Sequence, residues 1–130
     1  MPKFALEKIE SIKGKQSFFD LKVNGVGQFE SFSEQIEAIY RTELVTVNAR
    51  MDLIANLNRL PKTKFRDITP KKESVKEYEI KTRNLRIYLI HIEKTGKVVV
   101  LAGYKNNQKS DFVSFRSLKK QFLKEAGYDK

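Results

Sequence analysis

The stretch KEYEIKTRNLRIYLIHIEKTGKVVVLAGYKNNQK, Lys76 to Lys109, holds three apolar runs separated by polar turns. Short runs rich in Ile, Leu, Val and Tyr read as strands, here Lys76 to Lys81, Leu85 to Glu93 and Lys97 to Tyr104. Lys94-Thr95-Gly96 has the composition of a tight hairpin loop, so residues 76–105 are expected to form an antiparallel meander. Cationic side chains stand where these strands begin and end. Alternate residues of a strand face the same side. Lys81, Arg83, Arg86 and Lys105 can therefore gather along one rim while aliphatic residues fill the core, giving a surface that faces phosphate.

Upstream, residues 61–77 turn polar around Pro70 and the pair Lys71-Lys72, which reads as a long mobile loop. Before it, residues 29–60 carry two helical patterns. Ser31-x-x-Glu34 has the spacing of a capping box ahead of Phe32, Ile36 and Ile39, and Leu44, Val47, Met51, Ile54 and Leu57 line one face of a second helix that Leu60-Pro61 ends. Together they suggest a helical hairpin. Residues 1–25 hold one or two opening strands, Phe4 to Ile9 and Phe18 to Val23, with Asn24-Gly25 as a turn. Downstream, Asp111 is a candidate N-cap for a helix over 111–126 bearing Phe115, Leu118 and Phe122, with Gly127 as its stop. The expected fold is a single α+β domain over 1–130: a two-helix hairpin on a small twisted antiparallel sheet, closed by a C-terminal helix.

The 130 residues carry 26 Lys+Arg against 16 Asp+Glu, a formal charge of +10. Residues 1–60 hold eight of each sign, so residues 61–130 hold 26 − 8 = 18 basic and 16 − 8 = 8 acidic side chains and all of the excess. These charges are interleaved with apolar residues at strand and helix spacing, which places them on folded structure and points to a polyanionic partner. Cysteine is absent, which excludes thiolate metal sites, thiol nucleophiles and disulfides. One histidine cannot build a His-rich metal site, and there is no phosphate-binding glycine motif. His91 lies within an apolar strand and receives no role, and the acidic residues Glu30, Glu34, Glu37 and Glu43 read as solvated faces and caps. The first twenty residues lack a continuous apolar run, so neither a leader peptide nor a membrane span is expected and the protein is expected in the cytoplasm.

The order of these elements, with Tyr78-Glu79-Ile80-Lys81, Leu85-Arg86-Ile87-Tyr88, Val98 to Lys105 and the helix after Asp111, resembles the RelE superfamily of bacterial toxins. The closest likeness is to its HigB branch and related phage-derived proteins, over roughly Phe29 to Ala126. The resemblance implies an mRNA endoribonuclease acting on the ribosome without metal or other cofactor, neutralised by an antitoxin protein of helix-turn-helix type. Carried over by position, Lys81 is the candidate base, Arg86 the phosphate clamp and Lys105 the basic residue after the last strand. Arg83, Tyr88, Phe112, Phe115, Lys109 and Arg116 complete the expected RNA-contacting set. Two departures bear on the chemistry: Asn106-Asn107 follow Lys105, and Phe112 and Phe115 stand where a tyrosine or histidine often does. Phenylalanine can stack on a base but cannot transfer a proton. A second reading is therefore a non-catalytic protein of the same fold that acts by binding RNA or a protein target.

Overall fold

The computed structural model describes residues 2–128. Seven strands, β1 (Phe4–Lys8), β2 (Phe18–Val23), β3 (Val26–Gly27), β4 (Phe65–Asp67), β5 (Glu77–Lys81), β6 (Leu85–Ile92) and β7 (Gly96–Tyr104), form one sheet. Its order is β1-β2-β7-β6-β5-β4, with β3 beside β2. The helices are α1 (Gln28–Gln35), α2 (Arg41–Ala55) and α3 (Gln108–Ala126). The class is α+β, as expected, and no helix among the described residues is long and apolar enough to cross a membrane.

The local signals hold where the chemistry is local. β5, β6 and β7 form the expected antiparallel meander. Lys94 takes φ 67° in the β6–β7 loop, and Asn24 and Gly25, at φ 52° and 81°, close the β2–β3 hairpin. Gly127, at φ 82°, ends α3 with its N–H directed at the Leu123 and Lys124 carbonyls.

The sheet is mixed, which corrects the antiparallel expectation: β2 runs parallel to β7, with Phe18, Phe19 and Asp20 beside Lys97, Val98 and Val99. Gly96, at φ 134°, makes this approach possible, since a Cβ there would collide with the Ser17 carbonyl oxygen. That same oxygen accepts the Lys97 N–H at 3.0 Å. The segment expected to be loop contains β4, paired along β5 from Phe65↔Ile80 to Asp67↔Tyr78.

The helices also depart from the expected pattern. α1 begins three residues before Ser31, because Asp20 on β2 supplies the cap: its carboxylate accepts the N–H groups of Phe29 at 2.7 Å and Glu30 at 2.9 Å. Ile36 falls just past the helix end, and Ile39 is exposed. α1 seats on β2 and β7 while α2 reaches β5, and side chains of both helices join one core cluster on the same face of the sheet. α2 stops at Ala55, ahead of Leu60-Pro61, and Leu57 is exposed in the left-handed region at φ 65°. α3 starts at Gln108, which places Asp111 inside its first turn and not at the N-cap.

The sheet is covered on both faces. Ile80, Leu85, Ile87, Leu89 and Val99 pack under α1 and α2 against Phe29, Val47, Met51 and Ile54. On the opposite face Leu21, Tyr88, Ile90, Val98 and Val100 pack under Phe115, Phe122 and Leu123 of α3. Alternation along β6 assigns each residue to its face, and on β7 a register shift opposite Tyr88/Leu89 leaves consecutive Val100 and Leu101 both toward α3.

Candidate nucleic-acid interface

Lys81 stands directly opposite Arg86 across the β5–β6 pair, and Arg86 in turn stands opposite Gly103 on β7. The turn between Lys81 and Arg86 is fixed from below by α2. The Glu43 carboxylate accepts the Asn84 N–H at 2.8 Å, the Asn84 side-chain amide at 2.7 Å and the Thr82 hydroxyl. Burial raises the Glu43 carboxyl, but the bonds from Thr82 and Asn84 and the charge of Arg83 outweigh it and hold the group below its usual range. The Arg50 guanidinium donates to the Lys81 carbonyl. Asn84 then accepts the Lys105 N–H at 2.8 Å, which brings the end of β7 to the same turn. Lys81, Arg83 and Lys105 thus share one end of the sheet. Arg83 and Lys105 are exposed, Lys81 is half-buried, and none of the three makes an ion pair among the described residues.

Arg86 is placed differently from the exposed rim residue expected. It is 6% exposed, and its Nη1 donates to the carbonyls of Thr82 at 2.6 Å and Leu85 at 2.8 Å. Its Nε is buried without a partner. Buried charges are held by such bonds and are costly to disturb, so this arginine bears on stability as well as on any ligand.

Tyr88 and Phe115 correct the expected RNA-contacting set: both are fully buried and stack on one another with ring centroids 5.5 Å apart, so neither offers a face to a base. Phe112 is half-buried against Tyr88 and covered by the Arg116 guanidinium, 5.2 Å from its ring centre. Arg116 also pairs with Glu77 at 3.2 Å and donates to the Ile68 carbonyl. Lys109 is exposed on the first turn of α3.

The largest omission from the sequence reading is acidic. Glu77 and Glu79 lie on the same face of β5 as Lys81 and are fully buried beneath α3. Lys119 reaches Glu77 at 2.7 Å, Arg66 lies 2.9 Å from Glu79 Oε1, and Gln108 donates to Glu79 Oε2 at 2.8 Å. Beside them the Tyr88 hydroxyl and Asp111 Oδ2 are buried without a hydrogen-bond partner. Burial pushes the Asp111 carboxyl up, and burial followed by the charges of Asp111 and Glu79 pushes the Tyr88 phenol up. A Cβ on Gly103 would collide with Asp111 Oδ2, so glycine there gives the carboxylate its room. The alternation in Glu77-Tyr78-Glu79-Ile80-Lys81 carried this signal, two carboxylates and a lysine on one side. Two tyrosines were also missed: Tyr40 and Tyr104 line a small cleft of about 260 Å³ beside Lys105 and Asn84.

Comparison of the chain with protein-family models, with curated proteins and with solved structures finds no match.

Proposed function

We propose that this chain is a RelE-type toxin of a toxin–antitoxin pair that cleaves mRNA, with Lys81, Arg86 and Lys105 at its centre. The observation that carries the reading is the register setting Lys81 against Arg86, with Arg83 and Lys105 gathered at the same end of the sheet. Cleavage by internal attack needs a base for the ribose 2′-hydroxyl and positive charge around the developing phosphorane. Lysine serves as a base where neighbouring cations favour its neutral form. In this reading Lys81 takes the 2′-hydroxyl proton, and the 2′-oxygen bonds to phosphorus as the bond to the 5′-oxygen breaks. The departing oxygen takes a proton from Lys105. Arg86 and Arg83 hold the phosphate, Lys109 contacts the flanking backbone, and Tyr40 and Tyr104 supply aromatic surface in place of Tyr88 and Phe115. The RelE-like arrangement, the ribosome as the place of cleavage, a separate helix-turn-helix antitoxin and the cytoplasm as compartment belong to the same proposal.

The test is cleavage of translated mRNA by wild type, Lys81→Ala, Arg86→Ala and Lys105→Ala at equal folded concentration. Products carrying a 2′,3′-cyclic phosphate and a 5′-hydroxyl are expected, unaffected by EDTA. Losing the clamp at Arg86 is expected to lower the rate on the order of 10²-fold or more. Binding to RNA is expected to weaken by roughly two orders of magnitude or more from low to moderate salt. Equal activity in all four proteins removes these residues from the mechanism.

The second reading, a non-catalytic protein of this fold that acts by binding, is favoured by one observation: Arg86 Nη1 is already engaged by the Thr82 and Leu85 carbonyls. On that reading the four proteins release no cleaved product, while the charge-removing variants still weaken RNA binding.

A further inference from the structure

A groove of about 860 Å³ opens between residues 70–75 and α3. It is bordered by the Glu77 end of β5, whereas the candidate RNA interface is at the Lys81 end, about 13 Å away at strand rise. Its lining carries Lys71, Lys72, Arg116, Lys119 and Lys120 against Glu73 and Glu77, a net charge of +3.

The two acids are already engaged. Glu77 is paired with both Lys119 and Arg116, and Glu73 lies 3.2 Å from Lys119. Lys119 Nζ also donates to the Val75 carbonyl at 2.9 Å, so one buried lysine anchors residues 73–75 to α3 and keeps the groove's wall in place. Lys71, Lys72 and Lys120 remain exposed on the rim, without an ion pair among the described residues. Lys72 holds φ 93°, a conformation that L side chains rarely adopt.

The floor is apolar, built from Val75 and Leu123 with Tyr128 at one end. Single-stranded nucleic acid is held on runs of aromatic platforms, and this groove offers one tyrosine and otherwise aliphatic surface. An apolar floor inside a basic rim matches a peptide with an apolar stripe and acidic flanks. We propose that the groove between residues 70–75 and α3 is a docking site for an acidic, amphipathic peptide segment of a partner protein. The inference stands on the groove alone and does not require the chain to cleave RNA.

The experiment is fluorescence anisotropy with a labelled synthetic peptide of Glu and Leu at helical spacing, about fourteen residues or roughly 21 Å long as a helix. It is titrated with the full chain, with Lys71→Glu/Lys72→Glu/Lys120→Glu, and with the control Lys8→Glu/Lys13→Glu/Lys15→Glu, which makes the same change in net charge at exposed lysines outside the groove lining. Binding is expected to weaken about tenfold or more in the groove variant and to change less than about twofold in the control. A peptide of the same composition with its leucines scattered is expected to bind about fivefold or more weakly, since it cannot lay an apolar stripe on the floor. Val75→Ser is expected to weaken the amphipathic peptide and leave the scattered one unchanged. Thermal unfolding of each variant confirms that exposed lysines were changed without loss of the fold.

Four outcomes overturn the proposal: no binding, equal weakening in both triple variants, equal binding of the two peptides, or displacement of the peptide by an oligoribonucleotide whose own binding depends on the same three lysines. Because no arm reads RNA cleavage, failure here leaves the ribonuclease reading standing, and failure of that reading leaves this one standing.

Discussion

The two faces of the β5–β6 ribbon are built on opposite principles. Toward α1 and α2 the ribbon presents Ile80, Leu85, Ile87 and Leu89, and the helices answer with Val47, Met51 and Ile54. Toward α3 the same two strands present Ile90 and Ile92 to Phe122 and Leu123, but also Glu77, Glu79, Arg86 and Tyr88, met by Gln108, Asp111, Arg116 and Lys119. Apolar burial stabilises in proportion to area, whereas buried ion pairs must first overcome the cost of leaving water. One face thus holds the fold by apolar burial, while the other combines an apolar cluster with charges held at a net cost. Departures from the economical choice are expected where a protein acts, and the charged face is the one carrying Lys81 and Arg86.

The largest expected effect tests whether the charged face is as tightly coupled as its geometry implies. Glu77→Ala leaves Lys119 buried beside an empty site, and breaking such a pair costs about 3 to 5 kcal/mol. The paired replacement Glu77→Leu/Lys119→Met is expected to recover most of that stability, because a dry contact of similar volume avoids the desolvation cost. Chemical denaturation of the three proteins checks both statements. If the double variant is as unstable as Glu77→Ala, the ion pair is a net stabiliser and the contrast between the faces fails. On the apolar face, Ile54→Ala is expected to cost about 2 to 4 kcal/mol through lost burial and a cavity. No second substitution across that contact should rescue it short of refilling the volume.

The apolar face was largely legible in the sequence, and the charged face was not. Val47, Met51 and Ile54 recur at helical spacing, and the β6 and β7 runs have strand composition, so the core under α2 follows from local pattern. Asn24-Gly25, Lys94-Thr95-Gly96 and Gly127 each encode a backbone conformation in the residues that adopt it. The parallel β2–β7 pairing and the Asp20 cap on α1 depend on residues far apart in the chain, and no local signal encodes them. Ser31-x-x-Glu34 has the spacing of a cap but lies inside the helix, because Asp20 supplies the bonds sooner. At the candidate interface the basic residues were visible by type, while their state was not. Arg86 reads as a rim residue until the Thr82 and Leu85 carbonyls are seen to hold it, and Glu43 reads as a solvated acid until Asn84 is found on it.

His91 and Lys97 give the aliphatic side its own charged margin, and pH separates it from the α3 side. Lys97 Nζ lies 3.0 Å from His91 Nδ1, and burial, then the Lys97 charge, holds the imidazole below its ordinary value of 6.5, with Glu93 opposing. A base depressed in the folded state binds its proton more readily when unfolded, so stability rises with pH across the interval between the two values. His91's contribution is complete above pH 6.5 and is lost as pH falls from there through the folded value. Asp20 and Asp111, whose carboxyls are raised by burial, work in the opposite direction as pH rises. The difference between wild type and His91→Gln therefore isolates the histidine. Unfolding free energies measured from pH 7.5 down to about 5 are expected to fall faster for wild type, and parallel curves would show that the imidazole is not coupled to folding.

The smallest effect carries the opposite sign. The Tyr88 hydroxyl is buried beneath α3 beside Gln108 but without a hydrogen bond of good geometry, and burial, Asp111 and Glu79 disfavour its ionisation against the opposing effects of Arg86 and Gln108. An unpartnered buried hydroxyl costs about 1 to 3 kcal/mol of desolvation, against which its removal leaves a void of one oxygen between Phe112 and Phe115. Tyr88→Phe keeps both ring contacts and is expected to be neutral or stabilising by up to about 1 kcal/mol. Polar deletions on a well-satisfied face behave otherwise: Asn84→Ala, which strips the side-chain amide bond from Glu43 and leaves the backbone one, is expected to destabilise by about 1 to 3 kcal/mol. Thermal unfolding of the two variants beside wild type makes the comparison. A loss of more than about 1 kcal/mol in Tyr88→Phe would mean that the hydroxyl is bonded in solution, to Gln108, Asp111 or Glu79. The polar atoms under α3 would then form a satisfied network, and the argument that this face is held at a cost would lose its clearest case.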